Sequence, residues 1–397
     1  MQDLLRFSDL PNYAFPRLRK LLKDIKPPGD EVPMHIGEPT HRFPNFIRQQ
    51  ILENLNEFNS YPPNDGTPSL LSEISRWISR RYNTPRLDSE KNIISLNGTR
   101  EGLFNAAIAL SPQSKNGKTP TILLPNPFYQ CYMVAAKAVS ANPIFVPATN
   151  ENGFLPDFSQ LPKEILDQTT LCYICSPSNP QGAIANEKYW KKLFEMAENH
   201  NFKILADECY SEIYREKKPP GAIESLYKFG VNPERLIIFN SLSKRSNLPG
   251  LRSGFAAGGE KTIAELKKLK SYSGAPCPVP LQFAAESAWK DEKHVENNRV
   301  LYKEKLNLAD KILKNSRGYQ SPEAGFFLWL KVSDGITATT ELWKKFGVKV
   351  LPGAYLSNKN YKIFEKENPG QNFIRVALVR PIHELEFGLK AISKYLG

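Results

Sequence analysis

Seven short apolar runs recur through the middle of the chain: Asn92–Leu96, Thr121–Leu124, Pro143–Val146, Leu171–Cys175, Phe202–Ala206, Arg235–Asn240 and Gly254–Ala257. Most are bounded by Pro, Gly or Asn, as buried strands are. Helical patterns lie between them at Arg100–Leu110, Phe128–Ala138, Asn186–His200 and Lys261–Leu269. Runs this apolar have no polar face to offer water, so both sides of the sheet they form must be covered. Strand alternating with helix does this, and predicts an α/β fold around a mostly parallel sheet.

The ends read differently. Residues before about 45 are rich in proline and irregular, with one helical stretch near Phe15–Lys26. A long polar helix is predicted near Asp291–Asn315. Strand-like segments follow at Gly325–Val332, Val348–Leu351 and Phe373–Val379. At 397 residues the chain is long enough for more than one domain. The expected division is a large domain over 45–285 and a smaller α+β domain built from both termini, 1–44 plus 286–397.

Composition removes several classes of function. A hydrophobic fraction of 41% excludes a disordered chain, and five cysteines are too few for a disulfide framework. No run of eighteen apolar residues is present to cross a membrane, and the N-terminus has no apolar signal core. The expected location is the cytoplasm. The net charge of +12 is spread over KLLKDIK, ELKKLKS and similar stretches broken by acids and apolar residues. A nucleic-acid binder concentrates such charge on one element, so neither nucleic acid nor membrane is an expected partner. Cys172 and Cys175 fall in one strand, where positions i and i+3 point to opposite faces. With no second such pair and with isolated histidines, no metal site is expected.

Ligands of an open parallel sheet bind beyond the C-terminal ends of its strands. After the first run comes Asn97-Gly98-Thr99-Arg100, opening a helix whose N–H groups suit an anion. After LCYIC comes the polar turn Ser176–Gly182. After FKILA comes Asp207, a carboxylate whose burial costs free energy unless a cation meets it. After RLIIFN comes Ser241-Leu242-Ser243-Lys244, with Arg252 eight residues on. One ligand answers all of these: a phosphate for the helix, Ser241 and Arg252, a protonatable ring nitrogen for Asp207, and an aldehyde for Lys244. Pyridoxal 5'-phosphate has all three groups.

SPSNPQG at 176–182, ADECYSEIY at 206–214 and SLSKRSNLPGLRSGF at 241–255 together resemble the class I/II aminotransferases of the aspartate aminotransferase fold type, the fold type I PLP-dependent transferases. The likeness runs from IGEP at 36–39 to FIRVALV at 373–379. More narrowly, GTREGLFNA, PNPFYQCY, DECYSEIY and SLSKRSNLPGLRSGF look like the bacterial N-succinyldiaminopimelate aminotransferases of lysine biosynthesis.

The resemblance implies a role for each matching residue. Lys244 forms the Schiff base with the cofactor and moves the proton. Asp207 pairs with the ring nitrogen. Tyr210 and Asn179 bond the ring's phenolate oxygen. Gly98, Thr99, Arg100, Ser241 and Arg252 hold the phosphate, and Tyr129 lies over the ring. Arg375 grips the substrate α-carboxylate, with Gly37 and Asn179 beside it. Tyr61 reaches the neighbouring subunit's phosphate, which implies a homodimer with shared sites. The implied reaction is ping-pong transamination between N-succinyl-diaminopimelate and 2-oxoglutarate. The alternatives on the same scaffold are an aromatic or kynurenine-type aminotransferase and a carbon–sulfur β-lyase. For the substrate's distal carboxylate the candidates are Arg245, Ser246, Asn247, Arg17 and Arg19, with the loop Tyr272–Pro280 shaping the pocket.

Overall fold

The computed structural model describes residues 5, 7–358 and 368–397. Its strands, in chain order, are β1 (Val32–Pro33), β2 (Ile93–Leu96), β3 (Thr121–Asn126), β4 (Asn142–Pro147), β5 (Thr169–Cys175), β6 (Lys203–Asp207), β7 (Leu236–Ser241), β8 (Gly254–Gly258), β9 (Phe327–Lys331), β10 (Val348–Lys349), β11 (Leu351–Pro352) and β12 (Phe373–Ala377). Seven of them form one sheet in the order β2-β8-β7-β6-β5-β3-β4. All neighbours are parallel except where β8 runs against β7 and β2. Each of the seven apolar runs in the sequence becomes one of these strands. Every residue of β5 is buried, as expected of a central strand covered on both faces.

Register brings the strand ends together. Cys175 pairs with Asp207, Asp207 with Phe239, Ser241 with Gly254, and Leu96 with Gly254. The segments leaving β2, β5, β6 and β7 therefore emerge along one edge, which is where the sequence gathers its polar residues.

A three-stranded antiparallel sheet, β11-β12-β9, and the parallel pair β1-β10 come from the two ends of the chain. The helices Lys293–Leu313 and Ile382–Leu396 pack on each other and share a core with β9 and β12, centred on Leu306, Leu313, Leu328, Ile374, Leu385 and Leu389. The N-terminal helix spans Ala14–Leu22 and ends four residues before the expected Lys26. Its Ala14, Leu18 and Leu22 recur every four residues and bury one stripe against Trp329, Trp343, Leu351 and Tyr355. Each buried leucine of that stripe contributes about 1.5–3 kcal/mol.

Two local expectations change. The single strand read over Val348–Leu351 divides at Val350, because Val348 pairs with Val32 while Leu351 pairs with Arg375. The loop read over Tyr272–Pro280 is shorter. The helix Glu260–Ser273 runs into it, and the helix Val279–Lys290 starts inside it with Pro280 in the first turn, where a missing N–H costs nothing. Among the described residues no helix is long and apolar enough to cross a membrane. The five cysteines are free thiols.

Candidate active site

The common edge of β5, β6 and β7 opens onto a cavity of about 270 Å3. Lys244, Asp207, Tyr210, Asn179, Arg375 and Gly37 line it. So do Thr99, Arg100, Tyr129, Ser241 and Arg252. Residues from the large sheet and from β12 thus meet in one space. Gly98 stands one residue outside this lining, at the N-cap of the helix Thr99–Leu110. Tyr61 does not reach the cavity and its side chain is fully exposed.

Lys244 lies in the short helix Leu242–Arg245 that follows β7 directly, with Ser241 as its N-cap. Its ammonium donates to the Gly37 carbonyl at 2.5 Å. Burial pushes its pKa down to about 8. A buried lysine of this kind supplies the neutral amine that nucleophilic chemistry requires.

Asp207 ends β6 and is buried. One carboxylate oxygen accepts from the Tyr132 hydroxyl at 2.7 Å, the other from the Cys209 amide at 3.3 Å. Burial raises its pKa, because no cation is paired with it among the described residues. Glu208, the next residue, turns to the opposite side. There it accepts from the Ala222 amide at 2.7 Å and from the Tyr82 hydroxyl, and so anchors the end of the strand.

Arg375 stands on β12, 5% exposed, against the face of Phe327 at 4.3 Å. Two of its nitrogens donate, to Asn179 Oδ1 at 3.1 Å and to the His35 carbonyl at 2.9 Å. Its Nε is buried with no partner among the described residues. No acid pairs with it among the described residues, and burial pushes its pKa down to about 10. A buried guanidinium in this condition is a receptor for a carboxylate. Asn179 also donates to the Tyr210 hydroxyl at 3.4 Å, linking the arginine to the tyrosine.

At the mouth, Gly98 has φ +82, and a Cβ there would strike the Arg252 guanidinium. Glycine lets that guanidinium lie against the first turn of the helix Thr99–Leu110, whose N–H groups point outward. Among the described residues Arg252 donates to the carbonyls of Pro249 and Asn97 and to no acid. Cation, helix N-terminus and the Ser241 hydroxyl together form a cradle for a dianion. The Arg100 side chain turns onto the Tyr129 hydroxyl.

Some lining residues have no counterpart in the sequence reading. Tyr132 is the chief one. It follows Tyr129 by three positions on one helix face, and that spacing was the available signal. Cys209, between Asp207 and Tyr210 in sequence, also lines the cavity, 3.2 Å from the Thr99 hydroxyl. Tyr13 and Phe15 enter from the N-terminal segment. In contrast, Arg245 points away from the cavity. It is fully buried, bonded to the Ala288 carbonyl and Glu292 and packed over Trp77 and Trp289. Ser246 hydrogen-bonds with His294 and Asn247 with Asn298. None of these three lines the cavity, and neither do Arg17 and Arg19.

The sequence profile of the class I and II aminotransferases matches residues 30–391. The chain belongs to that family. A solved aminotransferase from Neisseria meningitidis is 36% identical, covers 98% of both chains and superposes with a TM-score of 0.91. The aminotransferase AspB of Helicobacter pylori is 34% identical over 98% of this chain and 99% of its own, with a TM-score of 0.89. Among curated relatives, the LL-diaminopimelate aminotransferase of Halothermothrix orenii is 30% identical over 390 residues, 95% of this chain and 94% of its own. The protein is a PLP-dependent aminotransferase with the fold type I architecture. The cavity fits that cofactor: the buried acid without a cation, the glycine cradle beside Arg252 and the low-pKa lysine are complementary to its ring nitrogen, phosphate and aldehyde. Pyridoxal 5'-phosphate, when bound, supplies an aldehyde that condenses with amines and a cationic ring that withdraws electrons from the substrate's α-carbon.

Proposed function

We propose that this aminotransferase acts in the diaminopimelate branch of lysine biosynthesis, exchanging an amino group between N-succinyl-diaminopimelate and 2-oxoglutarate in two half-reactions at one site. The observation that carries the reading is Arg375: a buried guanidinium without an acid, facing the same cavity as Lys244, grips an α-carboxylate and presents the adjoining C–N bond to that lysine. Curated relatives that act on LL-diaminopimelate, aligned over nearly the whole chain, support the pathway. The sequence motifs quoted above support the succinylated form.

In this reading Lys244 Nζ would hold the cofactor at rest and, with substrate bound, would carry the proton from the substrate α-carbon. Asp207 keeps the proton on the ring nitrogen. Tyr210 and Asn179 donate to the phenolate oxygen, and Tyr129 covers the ring face. The N-terminus of the helix after Gly98, with Thr99, Arg100, Ser241 and Arg252, holds the phosphate. Arg375, Asn179 and Gly37 bind the α-carboxylate. The division into a unit of 45–285 and a unit of 1–44 plus 286–397 places this site between the two.

The test is a comparison of kcat/KM with 2-oxoglutarate as acceptor. N-succinyl-LL-diaminopimelate is expected to exceed both LL-diaminopimelate and phenylalanine by about tenfold or more. A preference for the free diamino acid would move the assignment to LL-diaminopimelate, which the curated relatives' activity favours. Equal values for phenylalanine would overturn the diaminopimelate reading.

The active unit in this reading is a homodimer. Tyr61 is fully exposed, and the stretch of chain before it also exposes Phe43, Leu52, Leu55 and Phe58, apolar side chains that a second copy could cover. A mixed dimer of Tyr61→Phe and Lys244→Ala subunits is expected to contain one intact site and one carrying both lesions. Its high-affinity PLP titration then matches half the wild-type sites. Two sites each carrying a single lesion, with no intact site, would mean that Tyr61 serves its own subunit.

A further inference from the structure

The diaminopimelate reading leaves the far end of the substrate without a partner. Extended, an N-succinyl group puts its terminal carboxyl carbon about nine bonds, roughly 11 Å, from the reacting α-carbon. The cavity holding Lys244, Asp207 and Arg375 is small for a cofactor and such a chain together. A second cavity of about 910 Å3 adjoins it. Tyr13, Phe128 and Gln130 line both, so they stand at the boundary between the two.

Among the described residues two cations line the second cavity, and they differ. Lys137 is occupied, with Nζ 2.5 Å from Asp9 Oδ2. Arg17 has no acid within ion-pair distance among the described residues. Its guanidinium carbon lies over the Tyr355 ring, 3.8 Å from the centroid. Such a cation–π contact holds a guanidinium in place without using up its N–H donors, which can still bond a carboxylate. Arg17 also sits one helical turn beyond Tyr13, whose carbonyl accepts its backbone N–H at 3.2 Å. Residues four apart share a helix face. The arginine therefore follows directly on a residue that lines both cavities.

We propose that Arg17 is the specificity-determining residue that binds the distal carboxylate of an N-acyl substrate, with the acyl chain passing Tyr13 and Gln130 into the second cavity. The inference rests on the diaminopimelate reading and adds to it the residue and the space. It also separates Arg17 from the other distal candidates. Arg19, on the same helix, is exposed and lines neither cavity, and Arg245 is committed elsewhere.

The test pairs two substrates with four enzymes. N-succinyl- and N-acetyl-LL-diaminopimelate differ in having or lacking the distal carboxylate. Wild type is expected to favour the succinyl compound by about ten- to a hundredfold in kcat/KM, the range of a desolvated charge-assisted pair. In Arg17→Gln this ratio falls to near one, chiefly through KM. Arg17→Lys keeps the charge but loses the fork and gives an intermediate ratio. Arg19→Gln, which keeps helix and net charge comparable to Arg17→Gln, retains the wild-type ratio. A wild-type ratio in Arg17→Gln would overturn the Arg17 assignment and leave the substrate reading standing. No discrimination by the wild type itself would overturn both.

Discussion

Replacing Lys244 with alanine is expected to abolish transamination, with kcat reduced by about a thousandfold or more, while the protein still folds and still takes up PLP. Both halves of the expectation come from the site. Proton transfer by a positioned side chain is worth about 10²–10⁴-fold, and Lys244 is also the amine that holds the cofactor at rest. No other lysine among the described residues lines the cavity. Uptake survives because the phosphate cradle at Gly98, Ser241 and Arg252 belongs to other elements. The fold survives because alanine removes a buried ammonium whose desolvation already pushes its pKa down, at the loss of one hydrogen bond to the Gly37 carbonyl. Borohydride reduction of the wild-type holoenzyme followed by peptide mapping is the direct check. A pyridoxyl label on any other lysine, or turnover in Lys244→Ala near the wild-type rate, would remove Lys244 from its role.

How far the sequence foretells this site follows from what each residue interacts with. The strands were legible because a two-sided buried strand must be apolar along its whole length, and the chain marks each such run with turn residues. Asp207, Lys244 and Asn179 were legible because they follow directly on such strands, where position in sequence nearly determines position in space. Tyr132 was not. Its ring packs flat on Tyr173 at 4.6 Å and reads as core, and only the fold shows its hydroxyl reaching Asp207. Arg245 shows the opposite error. Adjacency to Lys244 suggested the cavity, but successive helix residues point about 100° apart, and the guanidinium sits among Trp77, Trp289 and Glu292. Tyr13 and Arg17 depend on where the helix Ala14–Leu22 docks, over three hundred residues along the chain from its partners at Leu351 and Tyr355. No local pattern encodes such a contact.

Asp207→Asn is expected to separate activity from stability. The carboxylate is 6% exposed, and its two hydrogen bonds come from neutral donors, the Tyr132 hydroxyl and the Cys209 amide. Its burial raises its pKa, the mark of an ionised group held at a cost until a cation arrives. The sign follows from linkage. A carboxyl whose folded pKa lies above its unfolded value opposes folding at every pH where it is ionised, and that penalty is full at neutral pH. Asparagine removes the charge, and its Oδ1 keeps the shorter bond from Tyr132. The longer contact from Cys209 is lost. The cofactor-free variant is therefore expected to melt at or above the wild-type temperature near pH 7. Turnover goes the other way. An amide has no charge with which to hold a proton on the ring nitrogen, and the electron pair released at the substrate α-carbon is no longer drawn into a cationic ring. Removing one such preorganised electrostatic partner costs about 10²–10³-fold in kcat. The loss is expected in kcat more than in KM, because Arg375 and Asn179 still bind the substrate. Near-normal turnover would take Asp207 out of the mechanism. A clear fall in melting temperature would mean that the carboxylate has a stabilising partner, contradicting the unpaired acid on which this prediction is built.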